Sequence, residues 1–303
     1  MKKIILVLAI ALFSVSVFSQ SVTNLTSIVR PNGKAKIIVS LSDNTVFWAE
    51  PGKSGWNKVS TEDITKNGKG IKYLYAYGKS NGKSMYAISL ADNSIWSSDP
   101  ENVNWEEVNI GSLPKGYVVN QLAAYLKQQN DMRFVISCSD NTIWCTNDNP
   151  NIWSCIYLAD AMKVHDIKLL STYVTPNSNA RIIVVLSNNE IWWSEPATNS
   201  SWSKVNADAL HSSFNAKEIS AYTTPNGDSY FILLLNDNTI WSSKTDGSTW
   251  ARVSTDGVNG TIEKVSSYVK PNGDVFYVIA LSDKSVYNRD MNASSWVKMD
   301  AVR

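Results

Sequence analysis

One phrase recurs six times along the chain, and it constrains the fold more than any other feature. Leu-Ser-Asp-Asn-Thr-Val, from Leu41 to Val46, returns as Leu90 to Ile95, Cys138 to Ile143, Leu186 to Ile191, Leu235 to Ile240 and Leu281 to Val286. Its acidic or amide position falls at Asp43, Asp92, Asp140, Asn188, Asp237 and Asp283, in steps of 49, 48, 48, 49 and 46 residues. An aromatic follows each copy (Phe47, Trp96, Trp144, Trp192, Trp241, Tyr287), and a second Trp comes about nine residues later (Trp56, Trp105, Trp153, Trp202, Trp250, Trp296). Upstream stands a tyrosine in five copies (Tyr77, Tyr125, Tyr173, Tyr222, Tyr268), with Ile28 in the first. Six units in register fill residues 21 to 303 and leave no room for a second domain.

A single copy reads as four short strands. Ile219–Tyr222 is strand-like, and Pro225-Asn226-Gly227 is a turn whose glycine can take positive φ. Tyr230–Leu235 is an apolar run suited to a strand buried on both faces. Asn236–Asn238 turns the chain into Thr239–Ser243, and a polar loop over Lys244–Ser248 leads to a last strand over Trp250–Ser254. Only Asp208–Phe214 carries a trace of helical spacing.

Repeats of this length with four strands are the blades of a β-propeller. The expected fold is therefore all-β: a six-bladed β-propeller of four antiparallel strands per blade, with repeats about 21–69, 70–117, 118–165, 166–214, 215–261 and 262–303. The residue before the tyrosine is small throughout (Ser27, Ala76, Ala124, Thr172, Ala221, Ser267), as crowding around a central channel demands. Each repeat starts on its inner strand and ends on its outer one. No strand is left over to stitch the ring, so closure rests on packing of the first blade against the last.

Ahead of the repeats, Lys2 and Lys3 precede an apolar run from Ile4 to Phe18, with Val17 and Ser19 at the −3 and −1 positions of a cleavage site before Gln20. The run is shorter than the roughly 20 residues a bilayer-spanning helix needs. Residues 1–19 are expected to be a signal peptide, residues 20–303 a single propeller, and the protein secreted or periplasmic without membrane insertion. Twenty-eight Lys+Arg against 27 Asp+Glu leave a net charge of +1, which offers no basic stripe for nucleic acid. Two His and three Cys provide little for a metal cluster, and no Ser/His/Asp set appears, so catalytic and metal roles are expected to be absent.

The Asp-Asn pair of each turn is read as hairpin chemistry, since both residues bond their own backbone and tolerate left-handed conformations. The aromatic directly after the β-branched residue is expected to be core. For the second Trp two readings stand: rim packing, or a half-exposed ring whose face takes the C–H face of a sugar while nearby carboxylates take its hydroxyls. On the second reading the sugar-contacting candidates are Trp56, Trp105, Trp202 and Trp250, with Glu50, Asp99 and Glu195 from the following loops. Trp48 and Trp193 join them because their equivalents (Ser97, Cys145, Ser242, Asn288) are small or polar, and they should face away from the Trp192-type ring. Cys145 and Cys155 flank one loop and are either a cross-strand disulfide or two thiols.

Asp-Asn-Thr-Ile-Trp, a polar loop, a Trp, and an upstream Tyr-x-x-Pro-Asn-Gly turn resemble the blades of tectonin- and tachylectin-type propeller lectins, and of bacterial propeller lectins with an Asp-Asn-x-x-Trp turn. The Val-Gly-Gly endings of tectonin blades are absent. The resemblance implies repeated weak sites for glycans or surface glycoconjugates in the grooves between blades. A propeller face used for protein docking is the alternative. A sialidase-like glycosidase fits less well, because arginine is scarce and Asp246–Trp250 echoes the Asp-box only once and one residue short.

Overall fold

The computed structural model describes residues 20–30, 32–78, 83–99, 104–127, 132–147, 151–196 and 201–302; the expected signal peptide, 1–19, lies outside them. The chain forms six four-stranded antiparallel sheets, each built from four consecutive strands. Blade 1 holds β1–β4 (Val22–Val29, Ala35–Leu41, Val46–Ala49, Asn57–Val59) and blade 2 holds β5–β8 (Ile71–Gly78, Ser84–Leu90, Ile95–Asp99, Asn104–Glu107). Blade 3 is β9–β12 (Val119–Leu126, Met132–Cys138, Ile143–Thr146, Trp153–Ile156) and blade 4 is β13–β16 (Ile167–Val174, Ala180–Leu186, Ile191–Ser194, Trp202–Lys204). Blade 5 is β17–β20 (Ala216–Thr223, Ser229–Leu235, Ile240–Lys244, Ala251–Val253) and blade 6 is β21–β24 (Ile262–Val269, Val275–Leu281, Val286–Asp290, Val297–Lys298). The protein is a six-bladed β-propeller. Asp208–Phe214 forms turns rather than a helix: Asn206 Oδ1 accepts the Asp208 amide at 2.8 Å, and the Leu210 and Phe214 amides close single turns on the carbonyls of Ala207 and His211.

The hydrophobic interior is divided into six clusters, one per seam, each drawing on two adjacent blades. The second strand of every blade contributes to the cluster on either side, which is why it reads as an unbroken apolar run. On the third strand the fully buried position is the β-branched residue (Val46, Ile95, Ile143, Ile191, Ile240, Val286), all 0% exposed. The aromatic after it, expected in the core, is only half-buried. Its indole N–H explains the position: Trp96, Trp144 and Trp241 donate to the hydroxyls of Ser94, Thr142 and Thr239 at 2.9, 2.9 and 3.0 Å, which keeps the ring near the turn.

The turns do two jobs. Asp43, Asp92, Asp140 and Asp237 accept the amide two residues on at 3.0–3.1 Å, each closing its own hairpin. The next residue, Asn44, Asn93, Asn141, Asn189 or Asn238, sits at φ of 65–69°. From there its side-chain oxygen accepts an amide at the start of the following blade: Ile71, Val119, Ile167, Ala216 and Ile262. The sixth turn has Lys284 instead, and its ammonium donates to Gln20 Oε1 at 3.3 Å across the seam between blades 6 and 1.

The innermost strands ring the axis, each against both neighbours. Their small residues bond across the seams, as in Ser27 Oγ to Ser266 Oγ at 2.7 Å and Ser220 Oγ to Ser267 Oγ at 3.0 Å. The channel they enclose is a cavity of about 310 Å³, narrowed by Tyr75, which reaches Thr172 two blades away at 3.3 Å.

Candidate functional site

The second tryptophans share one geometry. The indole N–H of Trp105 donates to the carbonyl of Ser60, Trp153 to Asn109, Trp202 to Tyr157, Trp250 to Asn206, and Trp296 to Ser254, all at 2.8–3.0 Å. Each acceptor lies one or two residues past the outer strand of the preceding blade. Trp56 completes the set by donating to the carbonyl of Asp300 at 2.7 Å. These rings are latches between blades, half-buried except for Trp153 and Trp296, which are buried. Trp250 also packs edge-on against Phe231 at 5.1 Å. Asp99, another candidate, ends β7 in an ion pair with Lys83 at 2.8 Å.

Trp48 and Trp193 face away from Phe47 and Trp192, as their alternation required: Trp193 joins the cluster between blades 4 and 5, whereas Trp192 joins that between blades 3 and 4. Each lies under a cation from the second strand. The Arg181 guanidinium carbon is 4.2 Å from the Trp193 ring centre, and the Lys36 ammonium is 3.8 Å from that of Trp48. Such contacts fall well within cation–π range.

Arg181 is held on further sides. Glu195 Oε1 accepts from its Nε at 2.9 Å and from its Nη2 at 2.8 Å, and its Nη1 donates to the Tyr173 hydroxyl at 3.3 Å. Burial works against its charge, but Tyr173 and Glu195 more than offset that and raise Arg181 above the ordinary arginine value.

Trp193 and Arg181 line one wall of an open cavity of about 720 Å³ between blades 4 and 5. The opposite wall is Asn226, Gly227, Asp228, Lys244 and Asp246. Lys244 pairs with Asp228 at 3.2 Å, and this partner raises its pKa. The site thus combines an indole, a braced guanidinium and amide and carboxylate groups around one hollow. Donors and acceptors line the same hollow, which suits a compact ligand bearing several hydroxyls.

Of the nine sugar-contact candidates, Trp193 lines this hollow, and Glu195 is tied to it through the Arg181 guanidinium it holds. Trp48 and Glu50 occupy the same repeat positions in blade 1, three blades around the ring, while Trp56, Trp105, Trp202, Trp250 and Asp99 stand apart at latches and an ion pair. Arg181 and Lys36 were missed from sequence. Their signal was present: the two copies with a Trp after the first aromatic, Phe47-Trp48 and Trp192-Trp193, start the apolar run with a basic residue followed by Ile-Ile-Val, whereas Arg133 in the third copy is followed by Phe-Val-Ile.

Cys145 and Cys155 resolve to separate thiols. Cys145 is opposite Ser154, and Cys155 is opposite Trp144. Residues one position out of register point to opposite faces of a sheet, so the sulfurs are divided by the blade, and none of the three cysteines is in a disulfide. Cys145 is instead in contact with the Tyr125 hydroxyl at 3.5 Å.

No protein-family model matches the chain, and no curated protein does. Solved structures do share the fold. The SapL1 lectin in complex with alpha methyl fucoside aligns at a TM-score of 0.59 and 17% identity, over 92% of this chain and 95% of the lectin. YCF48 bound to a D1 peptide aligns at 0.54 and 13%, over 92% and 82%, and YCF48 from Cyanidioschyzon merolae at 0.54 and 12%, over 92% and 88%. At these identities the likeness is one of fold. It meets the expected resemblance at the level of the β-propeller fold, without singling out the tectonin or tachylectin type.

Proposed function

We propose that this protein binds carbohydrate, with its principal site in the seam between blades 4 and 5. The observation that carries the reading is the Arg181–Glu195 pair set against Trp193 at the wall of a polar groove. The ring offers an apolar face to sugar C–H groups, the guanidinium donates to hydroxyl oxygens while Glu195 braces it, and Asp228 and Asp246 accept from hydroxyl protons. Lys36 and Trp48 repeat the cation-over-ring contact in blade 1, but the Lys36 side chain is buried there, so the seam between blades 4 and 5 is the one site proposed. Export by the 1–19 segment would place the protein where such surfaces are found. The fucoside-bound lectin with this fold makes fucosides the first ligands to try.

A glycan array followed by calorimetry with the strongest hit and with methyl α-fucoside tests this. Wild-type protein should bind at millimolar to micromolar Kd, and Trp193→Ala or Arg181→Ala should each remove most of the signal while leaving the fold intact. An array blank for folded protein would overturn the reading. It would turn attention to docking of a protein segment, which the peptide-bound YCF48 propeller supports and for which the varied loops between third and fourth strands provide blade-specific surfaces.

A further inference from the structure

The next seam has the same architecture and opposite chemistry. Between blades 5 and 6, on the face that carries Trp193, lies a cavity of about 340 Å³. Ser242 is opposite Ile232 there, just as Trp193 is opposite Ile183 one blade earlier. The two side chains therefore leave their sheets at the same point, and the space that an indole fills in one seam is left open in the other.

The walls of this opening are mainly apolar. Tyr222 and Tyr230 stack with centroids 5.4 Å apart and planes 14° from parallel, and Ala251, Val253, Val275 and Met291 extend the apolar surface, with Thr224, Ser243, Thr249 and Ser254 also on the lining. The hydroxyls at its inner end satisfy one another: Tyr222 and Tyr277 are 3.2 Å apart, and Tyr277 donates to Ser242 at 3.3 Å. A ligand need not supply their partners, and a polyhydroxylated one would find few. The charged groups on the lining are both cationic, Arg252 and Arg289. Arg289 is fixed by donating to the carbonyls of Ser254 at 2.6 Å and Ala293 at 2.9 Å, which engages two of its five N–H donors. An apolar slot of roughly ring size, at the small end of ligand pockets, with a rigid guanidinium at its edge selects by shape and by sign.

We infer that the seam between blades 5 and 6 is a second binding site, for a small aromatic ring bearing a carboxylate: the ring takes the place of the absent indole beside Tyr222 and Tyr230, and the carboxylate meets Arg289. This site goes beyond the carbohydrate reading and does not depend on it.

Met291 provides a reporter at the mouth, being 41% exposed. The whole protein, labelled with ¹³C-methyl methionine and assigned with Met291→Leu, is titrated with phenylacetate. The Met291 methyl should shift saturably, phenylacetamide should bind at least about tenfold more weakly for want of the charge-assisted bond, and methyl α-fucoside should leave the resonance still. Ser242→Trp, a residue the repeat already accommodates at Trp48 and Trp193, should abolish the shift. Should that variant not fold, Arg289→Met in its place should reduce phenylacetate to the affinity of the amide. A Met291 resonance that ignores phenylacetate overturns the proposal. So does equal binding of acid and amide, or full binding by folded Ser242→Trp.

Discussion

The indole N–H of Trp56 donates to the carbonyl of Asp300 at 2.7 Å across 244 residues of sequence, whereas its five counterparts span 42 to 45. One latch geometry thus serves both to join successive blades and to close the ring. The closing seam adds the Gly55 amide bonded to Asp300 Oδ2 at 2.7 Å and the Ser27–Ser266 contact near the axis. No sheet borrows a strand from the opposite terminus. Closure therefore depends on the seam cluster, on these polar bonds and on the Lys284–Gln20 contact.

Trp56→Phe, which keeps the ring and removes the donor, should destabilise the protein by about 1 kcal/mol, the net value of one such hydrogen bond. Trp105→Phe should cost about the same thermodynamically. The two should differ in kinetics: opening the closing seam separates the termini, so Trp56→Phe is expected to speed exchange of blade 1 and blade 6 amides together, while Trp105→Phe loosens only one internal seam. Urea midpoints and hydrogen exchange measure both effects, and equal exchange in the two variants would refute the asymmetry.

The repeat was legible because blade geometry imposes it on side chains: β-branched residues at 0% exposure, Asp and Asn in hairpin turns, small residues at the axis. The latches were not, because their acceptors are backbone carbonyls of Ser60, Asn109, Tyr157, Asn206, Ser254 and Asp300, six positions whose side chains follow no rule. The same regularity that proposed Trp56, Trp105, Trp202 and Trp250 as ligand contacts serves a bond at every seam. The candidate site is the reverse case. It departs from the repeat at Trp193 with Arg181 and at Trp48 with Lys36, while blade 3 keeps the basic residue, Arg133, with Cys145 in place of the indole, so the pairing is not dictated by blade geometry.

A glycine in the blade 5 loop tests how tightly the seam beneath that site is packed. Gly247 has φ of 77°, and a Cβ there would lie 2.0 Å from the carbonyl oxygen of Asn206, the acceptor for Trp250. Gly116 has a similar φ of 81° with open space around it. Gly116→Ala should cost only the left-handed backbone penalty of about 1–2 kcal/mol. Gly247→Ala must in addition displace backbone and the latch, and should cost clearly more, on the order of 3 kcal/mol or above. Thermal melts of the two variants decide it; equal losses would mean the loop yields freely.

Acid should unpick the hairpin turns. Burial of the Asp92 carboxyl raises its pKa, but bonds from Lys69 at 2.7 Å and from the Ser94 hydroxyl at 2.6 Å and amide outweigh that and bring it down to about 2. The folded value lies below the ordinary aspartate value of about 3.9. Its contribution is therefore complete above pH 4 and lost as pH falls toward 2. The stability gap between wild type and Asp92→Asn should narrow over that window, and the Asp92 carboxyl carbon should titrate with a midpoint near 2. A midpoint at 4 would show that the Lys69 pair does not persist in solution.

Alkylation distinguishes the cysteines and checks the register of blade 3. With β11 and β12 aligned as observed, the sulfurs of Cys145 and Cys155 are on opposite faces of the sheet, and an oxidising compartment cannot join them without moving the strand. Unfolded, unreduced protein should therefore take three iodoacetamide groups. In the folded state the half-exposed Cys155 should react first. Cys145 is buried, and burial together with the nearby Asp140 carboxylate pushes the Cys138 thiol up to about 11, leaving little thiolate at neutral pH. Burial and Asp140 raise Cys155 as well, so even its reaction should be slower than that of a free thiol and should accelerate as pH rises. Mass spectrometry of intact protein reads the count, and peptide mapping reads the order. A single addition in denaturant, with the mass two units low, would mean that a bridge forms and that blade 3 is paired one residue out of the register found here.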